Sequence, residues 1–164
     1  MDLRILIALV FACVLDGCQK PFLEPEKTET VDSTHGAQFK AKVDGVDFVA
    51  ELTGAAIGND SIISIAAETS DGQKIVFAVK DSGVHQYDLP FYSSTEIGAY
   101  VDAKSVVYSS NDGYEPGDSG GTLEITKLDR INKLLSGTFS FKGFHFDNRR
   151  TRMITDGLFS NISY

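Results

Sequence analysis

The sequence predicts an antiparallel all-β fold, either a β-sandwich or an open barrel of about nine strands. Apolar and polar residues alternate with a period of two in most segments after residue 36. Gly, Pro, Asn and Asp end these segments at intervals of about 8–12 residues, the spacing of turns in all-β domains. No long segment has the 3.6-residue apolar period of an amphipathic helix. Short strands joined by tight turns are therefore the expected architecture.

The first 17 residues have the pattern of a secretion signal peptide. Arg4 precedes an apolar run over residues 5–15, which has the length of a signal h-region. As a helix this run would span about 17 Å, too short for a hydrocarbon core of about 30 Å. The run ends in Leu-Asp-Gly-Cys at positions 15–18. This resembles the lipobox of lipoproteins, although Asp16 is unusual there, and it implies cleavage before Cys18 and a diacylglycerol thioether on its sulfur.

The two cysteines of the chain agree with this interpretation. Cys13 lies in the predicted signal peptide and Cys18 is the predicted lipidation site, so the mature domain has no thiol and no disulfide. Removal of residues 1–17 also removes Arg4, Asp2 and Asp16, which changes the net charge from −8 to −7. An acidic domain of this kind is a poor candidate for nucleic-acid binding. The alternatives to a lipoprotein are an ordinary secreted protein and a buried strand with an incidental Cys.

Residues 18–36 follow the signal peptide and are rich in Pro, Glu and Thr, without an apolar period. This composition is typical of a flexible tether. Fully extended, residues 19–36 of the tether would span about 55 Å at roughly 3.1 Å per residue. The predicted organisation is a signal peptide over 1–17, a lipidated Cys18 with its tether to residue 36, and a single β-domain over 37–164.

Within the β-domain each predicted strand has its own alternating run. The first two runs flank Asp44-Gly45, a strong hairpin signal, and the second pair flanks Asp71-Gly72. The predicted strands lie at 39–43, 46–50, 61–67, 74–80, 85–91, 99–109, 122–126 and 135–141, with one or two more at 152–164. Residues 127–135 are short enough to form either a helix or a turn.

Four phenylalanines near residue 140 raise a question of register. Phe139 and Phe141 have one parity, whereas Phe144 and Phe146 have the other. A β-bulge at Lys142-Gly143 would bring all four rings to one side of the sheet.

Four strand-and-turn segments carry a resemblance to a known family. They are Phe-x-Ala-x-Val-Asp-Gly from 39, Ser-Gly-Gly-Thr-Leu-Glu-Ile-Thr from 119, Leu-Ser-Gly-Thr-Phe-Ser-Phe from 135, and Ile-Thr-Asp-Gly-Leu-Phe-Ser-Asn-Ile-Ser-Tyr from 154. Together they resemble a domain-of-unknown-function family of small Bacteroidetes-type lipoproteins with a β-sandwich domain. The resemblance covers most of residues 37–164 and implies an outer-membrane lipoprotein, with no catalytic residue carried over.

The segment Gly-Asp-Ser-Gly-Gly at 117–121 has the letters found around the nucleophile of chymotrypsin-like proteases. A serine nucleophile also needs a histidine base that is oriented by a carboxylate. Only His35 and His85 precede Ser119, and His35 lies in the tether. Thr122 replaces the proline that usually follows the second Gly of that family's motif. We therefore predict that Ser119 belongs to a glycine-rich turn and is not a nucleophile.

Residues 109–118 form an acidic segment that contains Asn111, Asp112, Glu115 and Asp118. Closely spaced oxygen ligands suit Ca²⁺, but the spacing does not match an EF-hand loop. The favoured interpretation is a solvated loop in which Asp and Asn side chains make turn hydrogen bonds.

Histidines, arginines and tyrosines supply the remaining candidates. The only histidines in the domain are His85 and His145, which would need a nearby carboxylate to bind a metal. The basic cluster near residue 150 is a candidate contact for an anion or a lipid headgroup. Aromatic residues concentrate in the middle third, where ordinary packing is the favoured interpretation. The alternative is exposure of the Phe-Tyr pair that follows Pro90 at a strand end, since exposed tyrosine is a common contact for sugars and proteins. The cluster consists of Arg149, Arg150 and Arg152, and the aromatics are Tyr87, Phe91, Tyr92, Tyr100, Tyr108 and Tyr114.

The function expected from these patterns is that of a non-enzymatic binding or accessory module, anchored to the outer membrane through the lipid on Cys18. We expect a protein or glycan partner, no nucleic acid, no metal and no cofactor. Two alternatives stay open: a hydrolase that uses Ser119 or a carboxylate pair, and a structural envelope protein without a ligand. A histidine near Ser119, or two facing carboxylates in a cleft, would favour the hydrolase.

Overall fold

A computed structural model describes Gly36 and residues 38–80 and 83–164 of the chain. This part of the protein contains eleven β-strands and no helix, which confirms the all-β prediction. The strands are β1 (Gln38–Val43), β2 (Val46–Val49), β3 (Leu52–Ile57), β4 (Ile62–Glu68), β5 (Lys74–Lys80), β6 (His85–Leu89), β7 (Ile97–Val101), β8 (Val107–Ser109), β9 (Gly120–Asp129), β10 (Leu134–His145) and β11 (Arg150–Ser163). Across the described ranges, no helix is long and apolar enough to span a membrane. The predicted signal peptide, Cys18 and nearly all of the tether lie outside the described residues.

The strands form one antiparallel sheet that branches at β10. Along one edge, β10 pairs with β11, which continues through β1 to β2. Along its other edge, β10 pairs first with β9 and then, where Phe144 faces Ser109, with β8. One branch runs from β9 to β6, and the other runs from β8 through β7, β5 and β4 to β3. A branched sheet of this kind curls so that its two parts face each other.

Aromatic rings fill the space between the two parts of the curled sheet. The ring of Phe77 on β5 lies against Phe139 and Phe141 on β10, with centroid distances of 4.9 and 5.6 Å. Phe39 on β1 approaches Phe139 at 5.1 Å. Alternate residues of β1, β4 and β5 point into this core and are buried. The apolar alternation in the sequence therefore marks the inner face of the sheet, as expected for strands with one face on the core.

The predicted hairpin at Asp44-Gly45 is confirmed, because β1 and β2 pair around it. Both turn residues have positive φ, 51° at Asp44 and 85° at Gly45, the conformation that two-residue hairpins require. The Asp44 carboxylate accepts hydrogen bonds from the Arg152 guanidinium and from the Met153 backbone N–H, each at 2.9 Å. These bonds hold the hairpin turn against β11.

In the first two thirds of the chain, one strand prediction was wrong and one strand was missed. The segment 99–109 contains two strands, β7 and β8, because the Asp102 carboxylate accepts the backbone N–H groups of Lys104 and Val106 at 2.8 and 3.0 Å. Such a local side-chain acceptor replaces strand pairing by a turn. Strand β3 was not predicted at all, since its sequence Leu-Thr-Gly-Ala-Ala-Ile has only small side chains in the middle.

The β-bulge considered at Lys142-Gly143 is not present in the pairing of β10 with β11. The register of β10 with β11 runs without interruption from Lys142 to His145, and its irregularities lie earlier in the strand. A Cβ on Gly143 would lie 2.6 Å from the Tyr108 carbonyl oxygen, so this glycine allows β8 to approach β10 closely. Phe144 consequently stays on the opposite face from Phe141 and is buried there, while Phe146 lies beyond the strand and is 51% exposed.

Candidate functional site

Three aromatic side chains are exposed on neighbouring loops of the described domain. Tyr92, which follows β6, is 68% exposed, and Tyr114, in the loop before β9, is 45% exposed. Phe146 follows β10 directly and is 51% exposed. We call Tyr92, Tyr114 and Phe146 the aromatic surface. Large aromatic rings are usually buried, so a group of exposed ones is a candidate contact area for a ligand or partner.

Tyr92 is held in a fixed position despite its exposure. Its ring lies on Phe91 with a centroid distance of 3.7 Å, its hydroxyl donates to the Gly113 carbonyl at 3.2 Å, and its backbone N–H donates to the Asn111 carbonyl at 3.1 Å. Its φ of 63° is uncommon for a bulky residue and costs roughly 1–2 kcal/mol. Strain of this kind concentrates at functional sites, where the surrounding contacts maintain it.

Gly113 connects the loop of Tyr92 with the loop of Tyr114. A Cβ at Gly113 would lie 2.6 Å from Cε2 of Phe91, and the φ of Gly113 is 153°. The side-chain amide of Asn111 donates to the Ser93 carbonyl at 2.8 Å, which makes a second bridge between the two loops. The loops that carry the aromatic surface therefore support each other through close contacts.

Tyr114 belongs to a second group of rings. Its centroid lies 4.6 Å from that of Phe146, its hydroxyl donates to the Phe146 carbonyl at 3.2 Å, and the buried Phe144 meets it edge-on at 5.6 Å. The guanidinium carbon of Arg149 lies 4.5 Å from the ring centroid, within the range of a cation–π contact. A side chain from the β10–β11 turn thus already occupies a position over this ring.

The acidic segment 109–118 makes turn hydrogen bonds, as its favoured interpretation states. The Asp118 carboxylate accepts the backbone N–H groups of Tyr114 at 2.8 Å and of Glu115 at 3.2 Å. These two hydrogen bonds lower the pKa of Asp118 below its ordinary value, with a smaller contribution from the positive charge of Lys142. Among the residues that the structure describes, no three His, Cys, Asp or Glu side chains are grouped closely enough to hold a metal ion.

Ser119 is buried, whereas a turn residue of this kind was expected at the surface. Only 9% of the residue is exposed, and within the described ranges its hydroxyl has no hydrogen-bond partner. Nδ1 of His145 is instead 2.9 Å from the Val107 carbonyl, and His85 packs edge-on against Tyr87 at 5.2 Å. Neither of the two described histidines is hydrogen-bonded to Ser119. That Ser119 is not a nucleophile stays a prediction.

The three arginines near residue 150 do not form one anion site. Arg149 lies over Tyr114, as described above. Arg152 donates to Asp44 and lies 5.0 Å from the centroid of Tyr108, so its charge is engaged in holding the fold. Arg150 is exposed at the start of β11.

The sequence identified part of the aromatic surface. It named Phe91, Tyr92 and Tyr114 as candidates and raised exposure for the Phe-Tyr pair after Pro90, but it considered Phe146 only as a ring on the same side of the sheet as Phe139 and Phe141. The strained φ of Tyr92 and the contact between Arg149 and Tyr114 cannot be recognised from a single sequence. Of the other aromatic candidates, Tyr87, Tyr100 and Tyr108 are buried. Cys18 lies outside the described residues.

Comparison with known proteins gives one relationship. No curated protein and no solved structure matches the chain. A family match covers residues 35–163, which includes all eleven strands and the aromatic surface, and this confirms the resemblance to a domain-of-unknown-function family. The chain belongs to the family described as Domain of unknown function (DUF6252).

Proposed function

We propose that this protein is a lipid-anchored, non-enzymatic envelope protein that binds its ligand through the aromatic surface. The observation that carries the proposal is Tyr92, a strained and 68% exposed tyrosine that two loops hold in place. Exposed rings that are fixed before binding lose little entropy when a partner covers them. Tyrosine also combines a large apolar area with a polar end, which suits a contact surface.

The membrane anchor in this proposal is supported by the sequence. The apolar run over 5–15 and the Leu-Asp-Gly-Cys segment at 15–18 have the order that a lipoprotein signal requires. The tether over residues 18–36 would separate the β-domain from the membrane, so that the aromatic surface is accessible to a partner. The location that this motif and the family resemblance suggest is the outer membrane.

Binding arrays test the proposed function. The full chain, purified in detergent, is applied to peptide and glycan arrays beside the double variant Tyr92→Leu/Tyr114→Leu. Ile131→Ala, which alters a 92% exposed residue in the β9–β10 turn, is the matched control. We expect signals that the wild type and the control share and that the double variant loses, while circular dichroism shows that all three are folded. Absence of binding, or equal binding by all three proteins, would contradict the proposal.

A further inference from the structure

We propose that the ligand of the aromatic surface is a protein segment that carries an arginine or lysine, and that Tyr92 and Asp112 hold its positive charge. This inference rests on the proposed function and names the chemistry of the partner. Three features support it: the exposed ring of Tyr92, the place of Asp112 in the loop that supports this ring, and the cation that the surface already holds.

The ring of Tyr92 can accept a cation. Phe91 packs against it, with an angle of 38° between the two ring planes, and the residue nevertheless remains 68% exposed. The hydroxyl is engaged with the Gly113 carbonyl, so the ring is anchored at its far end. A cation within about 6 Å of a tyrosine ring is attracted by the negative potential of the ring face.

Asp112 is an acidic residue of the loop that is hydrogen-bonded to Tyr92. It lies between Asn111 and Gly113, whose carbonyls accept the backbone N–H and the hydroxyl of Tyr92. Two hydrogen bonds therefore hold the backbone on either side of Asp112 against Tyr92. Asp112 itself is exposed. An aromatic ring supported by a loop that carries an exposed acidic residue favours a guanidinium or ammonium group over a neutral or an acidic one.

The aromatic surface already carries one cation from its own chain. The Arg149 guanidinium lies 4.5 Å from the centroid of Tyr114, which shows that a guanidinium fits over a ring of this surface. The mature chain expected after removal of residues 1–17 has a net charge of −7. This charge attracts basic segments over longer distances and disfavours acidic ones. A basic protein segment is therefore the partner that the charges favour, ahead of a neutral glycan.

A peptide with a neutral equivalent tests the inference. Fluorescence anisotropy measures binding of a labelled tetra-arginine peptide to the full chain, beside a tetra-citrulline peptide that has the same shape without the charge. We expect the arginine peptide to bind at least about fivefold more tightly. Tyr92→Leu should reduce its affinity by about fivefold, and Asp112→Asn should also reduce it. Tyr92→Phe, which keeps the ring but removes its hydroxyl anchor, should lose less affinity than Tyr92→Leu, and the control Ile131→Ala should stay within about twofold of the wild type.

The outcomes separate this inference from the proposed function. Equal affinity for the two peptides, or an arginine affinity that Tyr92→Leu leaves unchanged, would overturn the inference. Maltohexaose is the neutral glycan probe in a parallel titration by calorimetry. Binding of maltohexaose that Tyr92→Leu abolishes, without binding of the arginine peptide, would keep the aromatic surface as the binding site and overturn its preference for a cation. Failure of every probe to respond to Tyr92→Leu would count against both.

Discussion

Ser119 is the residue whose surroundings differ most from the expectation for a turn serine. Its hydroxyl is buried and, among the described residues, unpaired. A buried hydroxyl without a partner costs free energy, so its removal is neutral or favourable. We predict that Ser119→Ala leaves the free energy of unfolding unchanged or raises it by up to about 1 kcal/mol. Urea denaturation of the wild type and the variant measures this difference.

The same variant tests the chemistry at Ser119. A fluorophosphonate probe should leave the wild-type protein unlabelled, because a serine hydroxyl without a base is a weak nucleophile. Stoichiometric labelling that disappears in Ser119→Ala would favour the hydrolase alternative. A destabilisation of more than about 1 kcal/mol in the variant would show that the hydroxyl has a partner in solution.

At the scale of an element, the loop between β8 and β9 positions the aromatic surface through Gly113. A methyl group there would meet the Phe91 ring at 2.6 Å, in a backbone conformation that other residues rarely adopt. We predict that Gly113→Ala destabilises the fold by about 1–3 kcal/mol and displaces Phe91 and Tyr92. Near-ultraviolet circular dichroism and thermal unfolding report the two effects.

Gly117 in the same loop provides the matched control for that substitution. It has a φ of 98° but no atom within 4 Å of the position of its Cβ. Gly117→Ala therefore introduces backbone strain without a collision, at a cost of about 1 kcal/mol. Equal effects of the two substitutions would mean that contact between Gly113 and Phe91 does not fix the position of Tyr92.

The sequence predicted elements well where local chemistry determines them. The Asp44-Gly45 hairpin follows from two residues that accept positive φ, and the inner faces of β4 and β5 follow from apolar alternation. Strand β3 depends on its pairing with β4, and the break between β7 and β8 depends on hydrogen bonds to the Asp102 side chain. Neither produces an alternation of apolar and polar residues that could be recognised in the sequence. The same limit applies to the candidate site. Exposure of Tyr92 could be inferred from the neighbouring Pro90, but the hydrogen bonds that hold Tyr92 to the Asn111 and Gly113 carbonyls join residues far apart in the sequence.

At the scale of the whole molecule, the fold class could be predicted but the branched sheet could not. Which strand lies beside β10 depends on contacts between distant parts of the chain. The pair of Phe144 with Ser109, for example, joins residues 35 positions apart. Patterns within a segment carry no information about such pairs, so the choice between a sandwich and an open barrel stayed open until the structure showed one curled sheet.

The proposed attachment of the protein to the envelope would depend on Cys18, and the two cysteines of the chain allow a controlled test. We predict that Cys18→Ala abolishes lipid attachment, because the thioether needs the sulfur, and that the protein accumulates as an unacylated precursor or a soluble product. Cys13→Ala is the control, since Cys13 lies in the apolar run and keeps the Leu-Asp-Gly-Cys segment intact. A single acyl chain gives only marginal membrane binding, so a stable anchor requires the multiple chains that the lipobox implies.

To test this prediction, cells are labelled with a palmitate analogue and separated into membrane and soluble fractions. The wild type and Cys13→Ala should be labelled and sediment with membranes, whereas Cys18→Ala should carry no label. Undiminished labelling of Cys18→Ala would refute the lipoprotein assignment, and the aromatic surface would then have to act in a secreted or soluble protein.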